Sequence, residues 1–423
     1  MPSFPGRLAA LAASLPTRLQ RRLSGGTYRP EVDGLRFIAI AIVVVGHFCE
    51  RALRFFPNVA DHRDSLAADL LTRPGLGVML FFAVSGFILA SQAMRSSNSP
   101  LSGAFLRSYF ARRVLRIEPP YLILLVATWA ALMVSGYHPE HTNHFATRPD
   151  SLTVSLLGSV VYAHGLLWGT SPRLFPPGWS LEIEVQFYLL APVLFFSYFR
   201  LRGWWRRLCG GALLALGVLL SLYTPHRLGG VYVFDSILRF FHFFWLGILL
   251  ADGRETIAAA MRRLPRTLVG AAGFLALAVF IAAPAPLDNP STAGSLAGAL
   301  ALRGLALLAT TTMFACVFAP TSFHEFCANP WISLIGGACY SIYLTHLQTI
   351  QFLTSQIAKH AAGSPVAAVA LFGAGEMLVV LVVGLAYYAV IERTFMIKDW
   401  PSRFRRALRA NRSRENVTVA GNG

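Results

Sequence analysis

The chain has 423 residues, of which 55% belong to the hydrophobic set and 13% are charged, whereas soluble domains carry about 25% charged residues. With a mean hydropathy of +0.54, this composition excludes a disordered chain, a disulfide scaffold and a soluble enzyme; at roughly 20 residues per span, the length suits about ten transmembrane helices. The net charge of +17 does not point to a nucleic-acid partner, because the basic residues lie between the apolar runs and only Lys359 and Lys398 are lysines.

In chain order, the first apolar stretch, LAALAASL, is short for a signal peptide. It is followed by Arg18, Arg21 and Arg22 where a cleavage site needs small residues. Residues 1–30 therefore read as a cytoplasmic tail. Apolar runs then predict spans at 34–54, 75–94, 117–136, 179–199, 208–224, 232–251, 267–284, 296–319, 331–353 and 366–392. Residues 31–392 form the membrane domain, and 393–423 a basic cytoplasmic tail resting on anionic lipid. Its sequons at Asn411 and Asn416 would then face the cytoplasm.

One further run, 152–169, is short and carries Tyr162 and His164. If it crossed, every later arginine-rich loop and the tail would move outside, against the positive-inside rule. It is expected instead to be a re-entrant or interfacial segment of a long outer loop. Irregular backbone at that depth must be buried by protein or line a wet cavity. The fold class is thus an all-α integral membrane protein of about ten helices with one such segment, both termini inside.

Ionisable groups within spans are costly and mark candidate sites. Arg36 and His47 stand 11 residues apart, on one helix face and about 16 Å apart along the axis. Arg36 could equally snorkel to the inner headgroups, and His47 could simply bond a neighbouring helix. Glu182 and Glu184 point about 200° apart, so they cannot share one cavity. Counted at 1.5 Å per residue, His47, Glu184 and His346 all fall about 21–22 Å from the inner side, which predicts that they meet. A carboxylate fixing an imidazole tautomer suits general-base chemistry.

Between the second and third predicted spans, FLRSYFARRVLRIEPPY places Arg113 and Arg116 three residues apart, with Arg107 and Arg112 nearby. Arginine forks bind phosphate bidentately, so a phosphorylated cytosolic ligand fits, as does anionic lipid. Pro119 and Pro120 read as helix-entry residues. Ser85 lacks a nucleophile elbow and reads, with Gly86, as a close helix contact. The histidines of HPEHTNH are not constrained by a span, the five cysteines form no CxxC pair, and no metal site is expected. The 31 phenylalanines read as lipid-facing bulk.

RPEVDGLRFIAIAIVVVGHF, LFFAVSGFILA, RRVLRIEPPY, WSLEIEVQFYLL and IGGACYSIYLTH follow in that order. Together they resemble the acyltransferase-3 family of polytopic bacterial O-acyltransferases, from about Glu31 to Glu392. The resemblance implies a cytosolic acyl-CoA donor, no metal, and a hydroxyl acceptor on a cell-surface carbohydrate or lipid-linked glycan, in the bacterial inner membrane. It puts the family's arginine and histidine on Arg36 and His47, its arginine pair on Arg113 and Arg116, and the glutamate of its WSLxxE stretch on Glu184. Trp179, Ser180, Tyr340, Tyr343 and His346 would line the site; Ala338 and Cys339 stand where relatives carry less apolar small residues. Some relatives carry an esterase-like domain after the membrane part, so a second transfer step here is expected to need a separate protein. The expected mechanism has Arg113, Arg116 and Arg36 holding the donor phosphates while His47, oriented by Glu184, deprotonates the acceptor. The rival from another class is a proton-coupled transporter or flippase of a carbohydrate or lipid.

Overall fold

The structure is a computed structural model and describes residues 14–19, 28–136, 148–282, 295–396 and 400. The histidines of 138–144, both sequons and nearly all of the basic tail lie outside the described residues.

Helix α1 (Pro30–Phe55) starts on a proline at its first position with Glu31 and Asp33 in the first turn, and has Arg54 in its last. Charges so placed complement the helix dipole at both ends. α2 (Pro74–Met94) is apolar on nearly every face, as a helix surrounded by protein must be. α3 (Gly103–Ser135) is capped by Ser102, whose hydroxyl accepts the Phe105 N–H. It is a single helix of 33 residues running through Pro119 and Pro120, which corrects their reading as helix-entry residues. Two hydroxyls brace that stretch: Tyr340 donates to the Ile117 carbonyl at 2.8 Å and Tyr387 to the Pro120 carbonyl at 2.6 Å.

The ambiguous run forms two short helices, α4 (Leu152–Val160) and α5 (His164–Trp168). Neither has the length of a span. There follow α6 (Gly178–Phe199), α7 (Gly203–Tyr223), a two-residue ladder of β1 (Arg227–Leu228) with β2 (Val231–Tyr232), and α8 (Ile237–Asp252). The expected span from 232 therefore starts later, after the ladder. The rest comprises α9 (Arg266–Ala282), α10 (Leu296–Val317), α11 (Pro330–Gly337), α12 (Cys339–Ala361) and α13 (Val366–Tyr387). The ninth predicted run is thus two helices, broken at Ala338.

All ten predicted runs fall on helices, and the chain is a multi-pass membrane protein. Seven described helices are long and apolar enough to cross by themselves: α1, α2, α3, α6, α7, α10 and α13. α8 and α9 are shorter, at 16 and 17 residues, and α12 carries more polar side chains.

α2 is the centre, packed on α8 and α1. Gly86 and Gly247 allow this: a Cβ at Gly86 would lie 2.1 Å from the Phe244 carbonyl oxygen, and one at Gly247 2.0 Å from that of Ala83. Helices pack closely in membranes through such small residues. Phe82, Phe244 and Phe187 stack in series through this seam, at 4.5 and 4.2 Å between centroids. Many phenylalanines, including Phe87, Phe195 and Phe243, are core residues, not the lipid-facing bulk expected from composition.

Candidate active site

His47 lies on α1 and His346 on α12, and their rings meet at 5.2 Å between centroids and 32° between planes. The Nδ1 of His47 bonds Glu50 Oε2 at 2.9 Å. The Nδ1 of His346 lies 2.6 Å from the Tyr343 carbonyl oxygen. A carbonyl only accepts, so this nitrogen carries the proton and Nε2 keeps its lone pair. That Nε2 is buried and has no partner among the described residues. An unsatisfied acceptor inside a bundle is costly, and binding sites are where such groups persist.

Around the pair, Tyr343 donates its hydroxyl to the Pro177 carbonyl at 2.6 Å and lies 2.7 Å from Ser180 Oγ. This clasp ties α12 to the first turn of α6. Trp179 packs on Phe240 at 5.5 Å, and Tyr340 is engaged with α3 as described.

Glu184 bonds other partners, within electrostatic range of Tyr343. Its Oε1 accepts the Ser85 hydroxyl at 2.7 Å and the Tyr188 hydroxyl at 2.5 Å, and it lies within electrostatic range of Arg36 and Arg113. No hydrogen bond joins it to His47 among the described residues. The expected convergence of three groups is therefore corrected to two: the imidazoles meet, and the carboxylate on His47 is Glu50. Counting residues along an axis gives depth but not the direction around the helix. Ser85, read as a packing residue, bonds this carboxylate, while its neighbour Gly86 provides the close contact.

The arginines diverge as well. Arg113 is buried with its guanidinium over the rings of Tyr109 and Tyr188, at 3.8 and 5.4 Å. It donates to the Tyr109 carbonyl and to Gln92 Oε1. Arg116 instead reaches Glu392 at 3.4 Å, whose other oxygen takes the Ser341 hydroxyl at 2.7 Å. Arg36 pairs with Asp33 at 3.0 Å on its own helix. The expected two-arginine fork is thus not presented, because aromatic and amide partners draw Arg113 into the bundle and a buried carboxylate draws Arg116 aside.

Glu182 caps the outer segment. Its two oxygens accept the backbone N–H groups of His164, at 3.2 Å, and Gly165, at 2.7 Å. His164 spans from the Thr170 carbonyl at Nδ1 to Ser155 Oγ at Nε2, and burial pushes its imidazole pKa below the ordinary 6.5, with Arg173 adding to the shift. No group of three metal-ligating side chains occurs among the described residues. Sequence reasoning missed Glu50, Gln92, Tyr188 and Glu392. The i, i+3 spacing of Glu50 from His47 was the one readable signal among them.

The chain belongs to the acyltransferase-3 family: residues 29–388 match its acyltransferase domain. Among relatives, it is 22% identical over 364 residues to a Staphylococcus aureus (strain MSSA476) protein named "Putative O-acetyltransferase", covering 78% of this chain and 52% of that one. It is 23% identical over 386 residues to a Komagataeibacter xylinus protein named "Putative membrane-bound transacylase", covering 86% and 82%. A shorter match, 25% over 177 residues, covers 38% of this chain and 33% of the Caenorhabditis elegans "Regulator of hypoxia-inducible factor 1". The chain spans about half the length of the staphylococcal relatives it matches. No solved structure matches it.

Proposed function

We propose that the chain is an O-acyltransferase that moves an acyl group, acetyl in the first instance, from cytosolic acyl-CoA to a hydroxyl of a cell-surface carbohydrate or lipid-linked glycan. The observation that carries this reading is the imidazole pair, in which His346 offers a buried Nε2 without a partner beside a carboxylate-bound His47. A hydroxyl is the substrate group that such acceptors bind, and one imidazole suffices to take its proton. The names of the staphylococcal and Komagataeibacter relatives agree with acyl transfer, and a proton-coupled transporter has no comparable support.

His47 is the general base. Its Nε2 receives the hydroxyl proton as the acceptor oxygen attacks the thioester carbonyl. The donor enters from the arginine-rich end. There Arg116 is the arginine of the family pair with an accessible guanidinium, its side chain 30% exposed, and it takes the phosphate contact. Arg36 supports it, while Arg113 holds the polar floor around Glu184. Trp179, Ser180, Tyr340 and Tyr343 shape the walls. The membrane is the bacterial inner membrane with both termini cytoplasmic, and no metal participates.

Mass spectrometry of envelope lipids and glycans from a deletion strain should reveal the loss of one acyl mass increment, restored by the wild-type chain and not by His47→Gln. That variant keeps size and polarity but takes up no proton; general-base catalysis contributes about 100- to 10,000-fold. Full restoration by His47→Gln would refute His47 as the base.

A further inference from the structure

We infer that Glu50 is the positioning residue of the reaction, the carboxylate that makes His47 rather than His346 the base. The inference rests on the acyl-transfer reading above. It replaces Glu184 in that role.

Two imidazoles face each other with their Nδ1 atoms fixed by different partners. A carboxylate accepts only, so Glu50 Oε2 at 2.9 Å holds the His47 proton on Nδ1 and leaves Nε2 free to take a proton. His346 has the same tautomer, but from a neutral backbone carbonyl. The difference lies in the state after proton transfer. An imidazolium at His47 is formed beside a negative charge and is stabilised by it. One at His346 would be fully buried beside a carbonyl, with Arg51 within electrostatic range. Among the described residues, the charged and titratable groups beside the two rings include Glu50 and Arg51 from α1 and Tyr343 from α12. Glu50 sits one turn beyond His47 on the same helix, so the pair needs no other element to assemble it.

The transfer then balances as follows. The acceptor O–H gives its proton to His47 Nε2, and its oxygen forms a bond to the thioester carbonyl carbon. The C–S bond breaks, and the departing thiolate takes the proton from His47 Nε2. Glu50 stays ionised throughout, and His346 Nε2 accepts a hydrogen bond that orients the acceptor.

The test uses inverted membrane vesicles from the native strain lacking its own copy, each carrying one full-length variant at equal protein level. Radiolabelled acetyl-CoA is the donor probe and the endogenous acceptor is retained. Glu50→Gln should lower kcat about 10- to 100-fold with the donor KM unchanged, by analogy with the partners that orient metal-bound histidines. Glu50→Asp should recover more activity than Glu50→Gln, and Glu184→Gln should lose less than Glu50→Gln. In a His47→Gln background, Glu50→Gln should cost nothing further, as for groups acting as one unit. Wild-type turnover by Glu50→Gln with an inactive His47→Gln would overturn the role of Glu50 and leave the base in place. Substantial turnover by His47→Gln would overturn both. Because the Glu50 side chain is 35% exposed, these substitutions leave the core intact, and unchanged thermal midpoints check that they do.

Discussion

Arg113 and Arg116 have the same type and nearly the same address, yet the structure gives them different work. Arg116→Ala should raise the donor KM about 10- to 100-fold, since hydrogen bonds to charged groups contribute about 1.5–3 kcal/mol each. The substitution also strands the buried carboxylate of Glu392, so Glu392→Gln is added as a control; a KM that stays raised in the double variant assigns the effect to phosphate binding. Arg113→Ala should instead lower the yield of folded protein, because it empties the space between Tyr109 and Tyr188 and leaves Gln92 Oε1 without its donor. Measuring donor KM alongside detergent-solubilised yield separates the two. The sequence made the arginines visible, and the resemblance placed them at the donor. Their directions were not legible, because partners 21 and 276 residues away decide them. The same holds for His47: its meeting with His346 follows from the count along the helix axes, but the carboxylate that bonds it is Glu50, one turn away on its own helix.

At the scale of elements, the outer segment depends on two polar devices. Glu182 closes the first turn of α5 by accepting two backbone N–H groups, a strong, charge-assisted arrangement. Glu182→Gln presents an N–H₂ group to one of those donors and should cost about 1–3 kcal/mol, read as a lower thermal midpoint. His164 adds a pH dependence. Its folded pKa lies below the ordinary 6.5 through burial, so the folded state prefers the neutral ring. Its contribution is therefore fully present above 6.5 and is lost as pH falls below that value. Measured from pH 7.5 down to 5, the thermal midpoint of the wild type should therefore lose ground relative to that of His164→Gln. The charge rule alone predicted that 152–169 does not cross. It could not divide the run into α4 and α5, because the turn between them puts Tyr162 at φ 54°, a left-handed conformation uncommon for a bulky residue. That residue is held by stacking on Tyr121 from α3 at 5.1 Å, a contact that no local pattern encodes.

For the whole molecule, the spans were legible because apolar length is a local property, and the break of the ninth run was not, because it follows from α11 pressing on α1. A Cβ at Gly336 would lie 1.7 Å from the Asp33 carbonyl oxygen. The two ends of the bundle differ in their polar contacts. At one end Arg206, near the start of α7, bonds Asp252, the last residue of α8. Arg29 lies within electrostatic range of both Arg95 and Arg254, and burial together with those two cations lowers its pKa. Arg393 donates to the Arg18 carbonyl at 2.8 Å, bringing the start of the chain to the end of the last span. At the other end Asn58 reaches the Gly363 carbonyl at 2.9 Å. Residues 18 and 393 at one end are consistent with an even number of crossings between them, as in the proposed ten-span arrangement. The end that gathers Arg18, Arg29, Arg95, Arg206, Arg254 and Arg393 is the arginine-rich one, which the proposed topology puts on the cytoplasmic side by the positive-inside rule. Single cysteines placed in 254–266 should therefore resist a membrane-impermeant thiol reagent in intact cells and react after permeabilisation, whereas cysteines at 58–64 should react in both. These tests belong in a chain whose native cysteines are replaced, since Cys49 and Cys209 are partly accessible. Labelling of the 254–266 positions in intact cells would invert the bundle, place Arg116 outside, and remove cytosolic acyl-CoA as the donor.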